Sequence, residues 1–297
     1  MKEKEQTGHF AALFTVLIWG TTFISTKILL QEFVPVEILF FRFAIGFLVL
    51  VCVAPRRLKT SGIREEVFFI AAGFSGICLY YLLENIALTY TMASNVGVMI
   101  SVAPFFTAIL AKVFLKTEEK FRSSFFLGFF IAVAGIVLLS FNGARLELNP
   151  AGDLLAVGAA FVWAIYSVLM RKISGYGYSV LLVTRRIFFY GILFMVPVLS
   201  VSDFHMDFSR FSNIRSLFHM AYLGLGASAL CFVTWNFAVK RLGAVKTSVY
   251  IYMVPVVTVI TSAVILKELI TGISALGTLM TVAGLFVSGY SRAAKRK

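Results

Sequence analysis

Charged residues in this chain fall into short clusters, and apolar runs of about 20 residues separate each cluster from the next. That length lets a helix rising roughly 1.5 Å per residue cross the roughly 30 Å hydrocarbon core of a bilayer. The runs lie at about 9–29, 36–54, 67–88, 92–115, 121–141, 153–171, 178–200, 216–238, 245–266 and 272–291. Hydrophobic residues make up 60% of the 297 and charged residues only 14%, against about 25% charged in an ordinary soluble domain. The pattern predicts an all-α integral membrane protein with ten transmembrane helices. The first run is too long for a signal-peptide core and no small-residue cleavage site follows it, so it is expected to stay as helix one.

The chain also matches itself. Trp19 falls on Trp163 and Arg42 on Arg186 at an offset of 144. Asn85 falls on Asn236, Ala93 on Ala244, Pro104 on Pro255 and Lys116 on Lys267 at 151, and Val133-Ala134-Gly135 falls on Val282-Ala283-Gly284 at 149. Two repeats follow, residues 1–145 and 146–297, with five helices each. Five is odd, so the second repeat enters the membrane from the opposite side and the two are inverted. With both termini in the cytoplasm, 18 of the 27 Lys and Arg residues lie in cytoplasmic segments. Four lie outside (Arg145, Arg210, Arg215, Lys267) and five lie within spans (Lys27, Arg42, Lys112, Arg185, Arg186). That bias sets the orientation.

The same clustering explains the net charge of +13 without nucleic acid, because short cytoplasmic loops facing anionic lipid account for it. Cys52, Cys78 and Cys231 lie in three different spans with no CxxC spacing, which argues against a disulfide framework or a zinc site. His9, His205 and His219 stand near membrane boundaries, no HExxH or ATP-binding loop occurs, and no Asp lies inside a span, Asp153 standing at an edge. The longest hydrophilic stretch, Val201 to Arg215, is too short for a soluble domain. Neither an enzyme nor a cofactor or metal is expected, and function falls to the helical bundle.

Ionisable groups inside a bilayer are costly unless they face protein or water, so the few present are the first places to look. Glu84 is the one acidic residue well inside a span, while Glu37 marks the outer end of helix two. Arg42 and Glu84 stand at similar depth, on the order of 7–10 Å below the outer surface, and are expected to be able to meet. Two readings stay open: a structural ion pair, or a proton-titrating carboxyl at Glu84 tuned by Arg42. In the second repeat Arg186 repeats Arg42, but Trp235 stands where Glu84 would. Arg186, with Arg185 beside it, then either holds an anionic substrate group or bonds locally. Lys27 and Lys112 lie near helix ends and are expected to snorkel to the headgroups.

Trp19 and Trp163 come near the middle of helices one and six, too deep for the interfacial belt. With Tyr80, Tyr81, Trp235, Tyr250, Tyr252, Asn85 and Asn236 they outline an amphipathic cavity better suited to amino acids than to sugar phosphates. Pro104 and Pro255, at matching depths in helices four and nine, are expected to kink them and to free the carbonyls of Ile100 and Ile251. Gly128 with Gly135, and Gly277 with Gly284, read as packing faces.

Trp19-Gly20, Arg42, the run Asn85-Ile86-Ala87-Leu88 through Ala93-Ser94, Pro104, the Lys116-Thr117-Glu118 corner and Val133-Ala134-Gly135 together resemble the drug/metabolite transporter superfamily, in its ten-helix branch of two EamA-like repeats. The resemblance covers essentially the whole chain. It implies a secondary carrier of the bacterial inner membrane, with a central cavity lined by helices one to four and six to nine. Many members look like exporters of amino acids and related metabolites, often proton-driven, while others import or exchange. Trp163 is followed by Ala164 and so departs from the Trp-Gly pattern. The Lys-Arg element of the branch that carries phosphorylated cargo has no match within the ninth or tenth span. The expected partners are a small-molecule substrate, membrane lipids and, as a candidate coupling ion, protons, in a monomer or a homodimer. The reading from another class is an uncoupled channel or a scaffold.

Overall fold

The computed structural model describes residues 2–115, 123–140, 149–202 and 204–290, and every regular element among them is helical. The α-helices are α1 (Lys2–Leu29), α2 (Pro35–Val53), α3 (Ile63–Gly73), α4 (Tyr80–Tyr90), α5 (Ala93–Ile100), α6 (Ala103–Phe114) and α7 (Ser123–Ser140). They continue with α8 (Pro150–Ser174), α9 (Val180–Val201), α10 (Ile214–Ala221), α11 (Cys231–Leu242), α12 (Ala244–Ser248), α13 (Val254–Ile265) and α14 (Gly272–Tyr290). Eight helical rods among the described residues are long and apolar enough to cross a bilayer. The runs 121–141 and 272–291 hold α7 and α14, whose shorter apolar segments are Phe126–Gly135 and Gly272–Gly284. The Lys116-Thr117-Glu118 corner lies outside the described residues.

Four of the eight rods change pitch near their middle. Between α3 and α4 the chain takes a π-helical turn at Phe74–Leu79, and between α10 and α11 another at Tyr222–Leu230. A shift of 151 residues lays the first on the end of the second. Small residues permit both. A Cβ on Gly76 would stand 2.2 Å from the Tyr166 ring, and one on Gly224 would stand 2.7 Å from Ile45. Such turns are rare, and they concentrate at functional sites.

The other two rods are broken rather than bent. α5 stops at Ile100 and α6 restarts at Ala103, with Pro104 in its first turn. α12 stops at Ser248, a 3-10 turn covers Val249–Met253, and α13 starts with Pro255 in its first turn. Proline lacks the N–H that a first turn leaves unpaired anyway, so both prolines sit where a helix tolerates them best. The sequence reading of a kink thus becomes a helix start.

The rods are fixed at one end by α2 and α8. Pro35 opens α2, and the Glu37 carboxylate accepts the Val34 N–H at 2.9 Å. Pro150 opens α8, where Asn149 Oδ1 accepts from Gly152 N at 3.4 Å. Asn149 also donates to the Tyr90 carbonyl at 3.0 Å, so α8 starts beside the end of α4. Small residues set the crossing of α7 and α14 as well. A Cβ on Gly135 would meet the Gly277 carbonyl at 2.5 Å, and one on Gly284 would meet the Gly128 carbonyl at 2.4 Å. The contact is reciprocal: each helix presents the same pair of glycines to the other.

Candidate functional site

Midway along the bundle the broken and π-turned rods leave a small cavity. Trp19, Thr22 and Phe23 of α1, Tyr80, Tyr81 and Glu84 of α4, and Trp163 of α8 form most of its wall. Ile100 closes it from the end of α5, Ile251 from the turn between α12 and α13, and Val254 from the start of α13. The free volume is about 20 Å³, room for one or two water molecules or a single ammonium group. Half of the wall residues are aromatic. Trp19 and Trp163, equivalent in the two halves, meet edge to face at 5.2 Å, and Tyr80 lies 4.8 Å from Trp163.

Glu84 is the charged residue of this wall. It is 2% exposed, and its Oε1 has no hydrogen-bond partner. Trp163 Nε1 is likewise unpartnered, whereas Trp19 Nε1 donates to the Ala227 carbonyl at 3.0 Å. Buried polar atoms are nearly always satisfied, so a cluster of orphans in one cavity marks a place built to receive something.

Arg42 does not reach Glu84. Ion pairs form instead at Arg186–Glu66 and Arg210–Glu37, with a longer Arg210–Asp207 contact. The Arg42 guanidinium is fully buried in the wall behind Tyr81, its Cζ 4.4 Å from the ring centroid, and Nε donates to Ser228 Oγ at 3.0 Å. Both terminal nitrogens are without partners. Tyr81 therefore stands in both environments, against the guanidinium and on the cavity wall.

Other expected cavity residues lie elsewhere. Trp235 is fully buried 5.1 Å from Trp19, outside the wall, with an unpartnered Nε1. Asn85 donates to the Pro35 carbonyl at 3.1 Å and so ties α4 to the start of α2. Asn236 accepts from the Tyr166 hydroxyl at 2.8 Å and donates to Thr184 Oγ1 at 3.0 Å. Tyr250 bonds His9 Nδ1 at 2.7 Å near the start of α1. Tyr252 is buried with Val102, Phe105 and Ala132.

Arg186 requires a correction. Its carboxylate partner is not missing but comes from α3: Nε donates to Glu66 Oε1 at 2.7 Å. The same carboxylate accepts from the Tyr190 hydroxyl and, at 2.8 Å, from Thr60. Arg185 donates to the carbonyls of Ala54 and Arg56 just past α2. Both arginines thus fasten one end of the bundle, where Tyr178 also reaches Glu65 at 2.6 Å.

The opposite end is tied as well. Glu37 accepts both terminal nitrogens of Arg210 at 2.8 and 2.9 Å and the His205 N–H at 3.0 Å, which pins the segment before α10 onto α2. The hydrogen bond to Glu37 holds the Arg210 pKa above its ordinary value. Lys27 does not simply snorkel: it donates to the carbonyls of Leu88 and Thr91, at 2.5 and 2.9 Å, past the end of α4. Glu268, which interacts with Lys27, accepts from Ala93 N, Ser94 N and Ser94 Oγ at the start of α5. A cation at a helix C-terminus and an anion at an N-terminus each complement the helix dipole.

These features accord with the comparisons to known proteins. The EamA-like transporter family matches residues 6–141 and again 150–290, and the chain belongs to that family. It is a multi-pass membrane protein of a transporter family with relatives in bacteria and archaea. An uncharacterized transporter of Archaeoglobus fulgidus is 31% identical over 288 residues, covering 94% of this chain and 96% of the relative. A probable terminal-alkyne amino-acid exporter of Streptantibioticus cattleyicolor is 24% identical over 279 residues, covering 94% and 92%. One crystal structure superposes with a TM-score of 0.67 at 18% identity over 96% of this chain and 97% of the other, a likeness of fold.

Proposed function

We propose that this protein is a secondary active transporter that exports amino acids or similar small amphipathic metabolites by alternating access, with Glu84 as the site of proton coupling. The observation that carries the reading is the buried Glu84 carboxyl, whose Oε1 has no partner, in the wall of a small aromatic-lined cavity at the level where four rods lose regular α-helical pitch. Unequal pitch lets the two halves of a rod move separately, and the ties at each end are short-range contacts that can be made or released.

The two halves are read as inverted repeats. In support, the equivalent tryptophans touch across the centre, α7 and α14 exchange the same glycine contacts, and α8 starts beside the end of α4. The Lys and Arg bias supports reading the Glu66 end of the bundle as cytoplasmic and the Glu37 end as external, for a protein of the cell's inner membrane. Energy then comes from an ion gradient or from exchange.

The test is flux in liposomes holding the purified full chain, loaded with pooled radiolabelled amino acids, with and without an imposed pH gradient. Saturable flux that the gradient accelerates supports proton-coupled export. Saturable exchange indifferent to the gradient assigns an exchanger, and unsaturable leak assigns a channel.

A further inference from the structure

Two opposite charges are buried beside Tyr81, each with polar atoms that have no partner. Glu84 Oε1 faces the cavity, and the terminal nitrogens of Arg42 lie behind Tyr81. Burying an unpaired charge costs several kcal/mol, on the order of what one strong ligand contact returns. Each is satisfied only in part: Arg42 has Ser228 and the face of Tyr81, and Glu84 has a hydrogen bond from Tyr80 while its Oε1 stays open.

The ring faces of Trp19, Tyr80, Tyr81 and Trp163 beside the carboxylate form a setting for a cation, because aromatic faces and a carboxylate both attract positive charge. A carboxylate ligand on its own would meet Glu84 and be repelled. On the transporter reading above, the geometry points to a zwitterion site in two parts. The cargo's ammonium group sits against Glu84 in the aromatic cavity, and Tyr81 is a shutter that swings off Arg42 to let the guanidinium take the cargo's carboxylate. An amine alone is held by the first part. An acid alone is refused until the shutter opens, because only then does Arg42 face the cavity. A guanidinium binds a carboxylate through two parallel hydrogen bonds, which suits the two unpartnered nitrogens of Arg42. The shutter motion also explains a cavity of about 20 Å³, since displacement of the Tyr81 ring adds the space a carboxylate needs.

The protein carries its own reporter. Of its three tryptophans, Trp19 and Trp163 line the cavity and Trp235 packs 5.1 Å from Trp19, so tryptophan fluorescence reports on the site. We would titrate the detergent-solubilised full chain with three matched pools. The first holds alanine, valine, leucine, isoleucine, methionine and phenylalanine, the second the amines formed by decarboxylating them, and the third the acids lacking the amino group. The expected order is amino acids tightest, amines weaker and acids without effect. Glu84→Gln should weaken the first two pools at least about tenfold, the loss of one charge-assisted hydrogen bond. Tyr81→Ala should admit the acids, whereas Tyr81→Phe, which keeps the ring, should not.

If Tyr81→Ala fails to fold, Arg42→Met decides in its place by lowering amino-acid affinity to that of the matching amines and leaving the amines unchanged. Acids that bind the unmodified protein as well as amino acids overturn the proposal, as does unchanged binding in Glu84→Gln or silence toward all three pools. Flux in liposomes separates the two readings. Transport of cargo without an amine sinks this inference alone, and absence of any saturable flux sinks the transporter reading.

Discussion

Arg42 and Arg186 hold the same place in the two halves of the sequence and have opposite surroundings. Arg42 is fully buried, its terminal nitrogens unpartnered, against an aromatic ring near the centre. Arg186 is 34% exposed and paired with Glu66, which is further satisfied by Tyr190 and Thr60. The second arrangement is one that stability favours, with opposite charges in contact near water. The first is one that stability disfavours, so its retention points to a task. Two positions that match in the sequence thus carry a fastening in one case and a buried charge in the other.

The comparison is tested most strongly at Glu84. Glu84→Gln keeps shape and removes the charge, and gradient-driven flux should fall by about 100-fold or more, roughly 2.7 kcal/mol of lost coupling. The thermal unfolding midpoint in detergent should hold or rise. The matching change at the bundle's end, Glu66→Gln, should leave flux within about threefold of normal, since it loosens one tie among several. If Glu66→Gln stopped flux and Glu84→Gln did not, the roles assigned to the two carboxylates would have to be exchanged.

The next effect has an unusual sign. Arg42→Met replaces a buried, unpaired charge with an apolar chain of similar length, and should raise stability by about 1–3 kcal/mol while flux is lost. Arg186→Met should lower stability by about 1 kcal/mol or less, the range of partly exposed pairs. Opposite signs at equivalent positions, read as shifts in unfolding midpoint, sharpen the contrast. Equal signs would mean that the burial of Arg42 is compensated by its Ser228 and Tyr81 contacts.

Much of this was legible in the sequence, and the remainder has identifiable physical causes. The apolar runs mark the rods because hydrocarbon thickness fixes their length. Trp19, Trp163, Tyr80 and Glu84 could be singled out because polar and aromatic groups deep in a span are costly or out of place. The partner of Arg186 could not be read, since Glu66 lies 120 residues away and the pairing depends on α3 and α9 being neighbours. Nor could the sequence show that Tyr81 would screen Arg42, which depends on the facing of two helices to within one side chain. The π-helical turns left only a faint trace: Gly76 and Gly224 sit in them, and glycine in an apolar span more often marks packing. Lys27 was misjudged because snorkelling is the common fate of a lysine near a helix end, and the carbonyls of Leu88 and Thr91 are placed by the fold.

A smaller effect follows from exchanging the partners at the Glu66 end. Glu66→Arg combined with Arg186→Glu rebuilds the same attraction with the charges reversed. Its stability should return to within about 0.5 kcal/mol of normal, although each single change costs more. The corresponding exchange at the centre, Glu84→Arg with Arg42→Glu, should not restore flux, because there the sign of the charge facing the cavity is what counts. A rescued central exchange would reduce Arg42 and Glu84 to a structural pair.

The smallest effect is one of salt. Raising ionic strength from 0.01 to 1 M shortens the screening length from about 30 to about 3 Å, and screening acts on charges that water can reach. Arg186 is one-third exposed and Glu66 is partly so, hence the stability difference between the parent chain and Arg186→Met should shrink by a few tenths of a kcal/mol. Arg42 is sealed off, so the difference between the parent and Arg42→Met should stay constant over the same range. Unfolding midpoints of the three proteins at both salt concentrations measure this directly. Salt dependence at Arg42 would mean that water reaches the guanidinium through an open state, and that the screen provided by Tyr81 already opens in the absence of cargo.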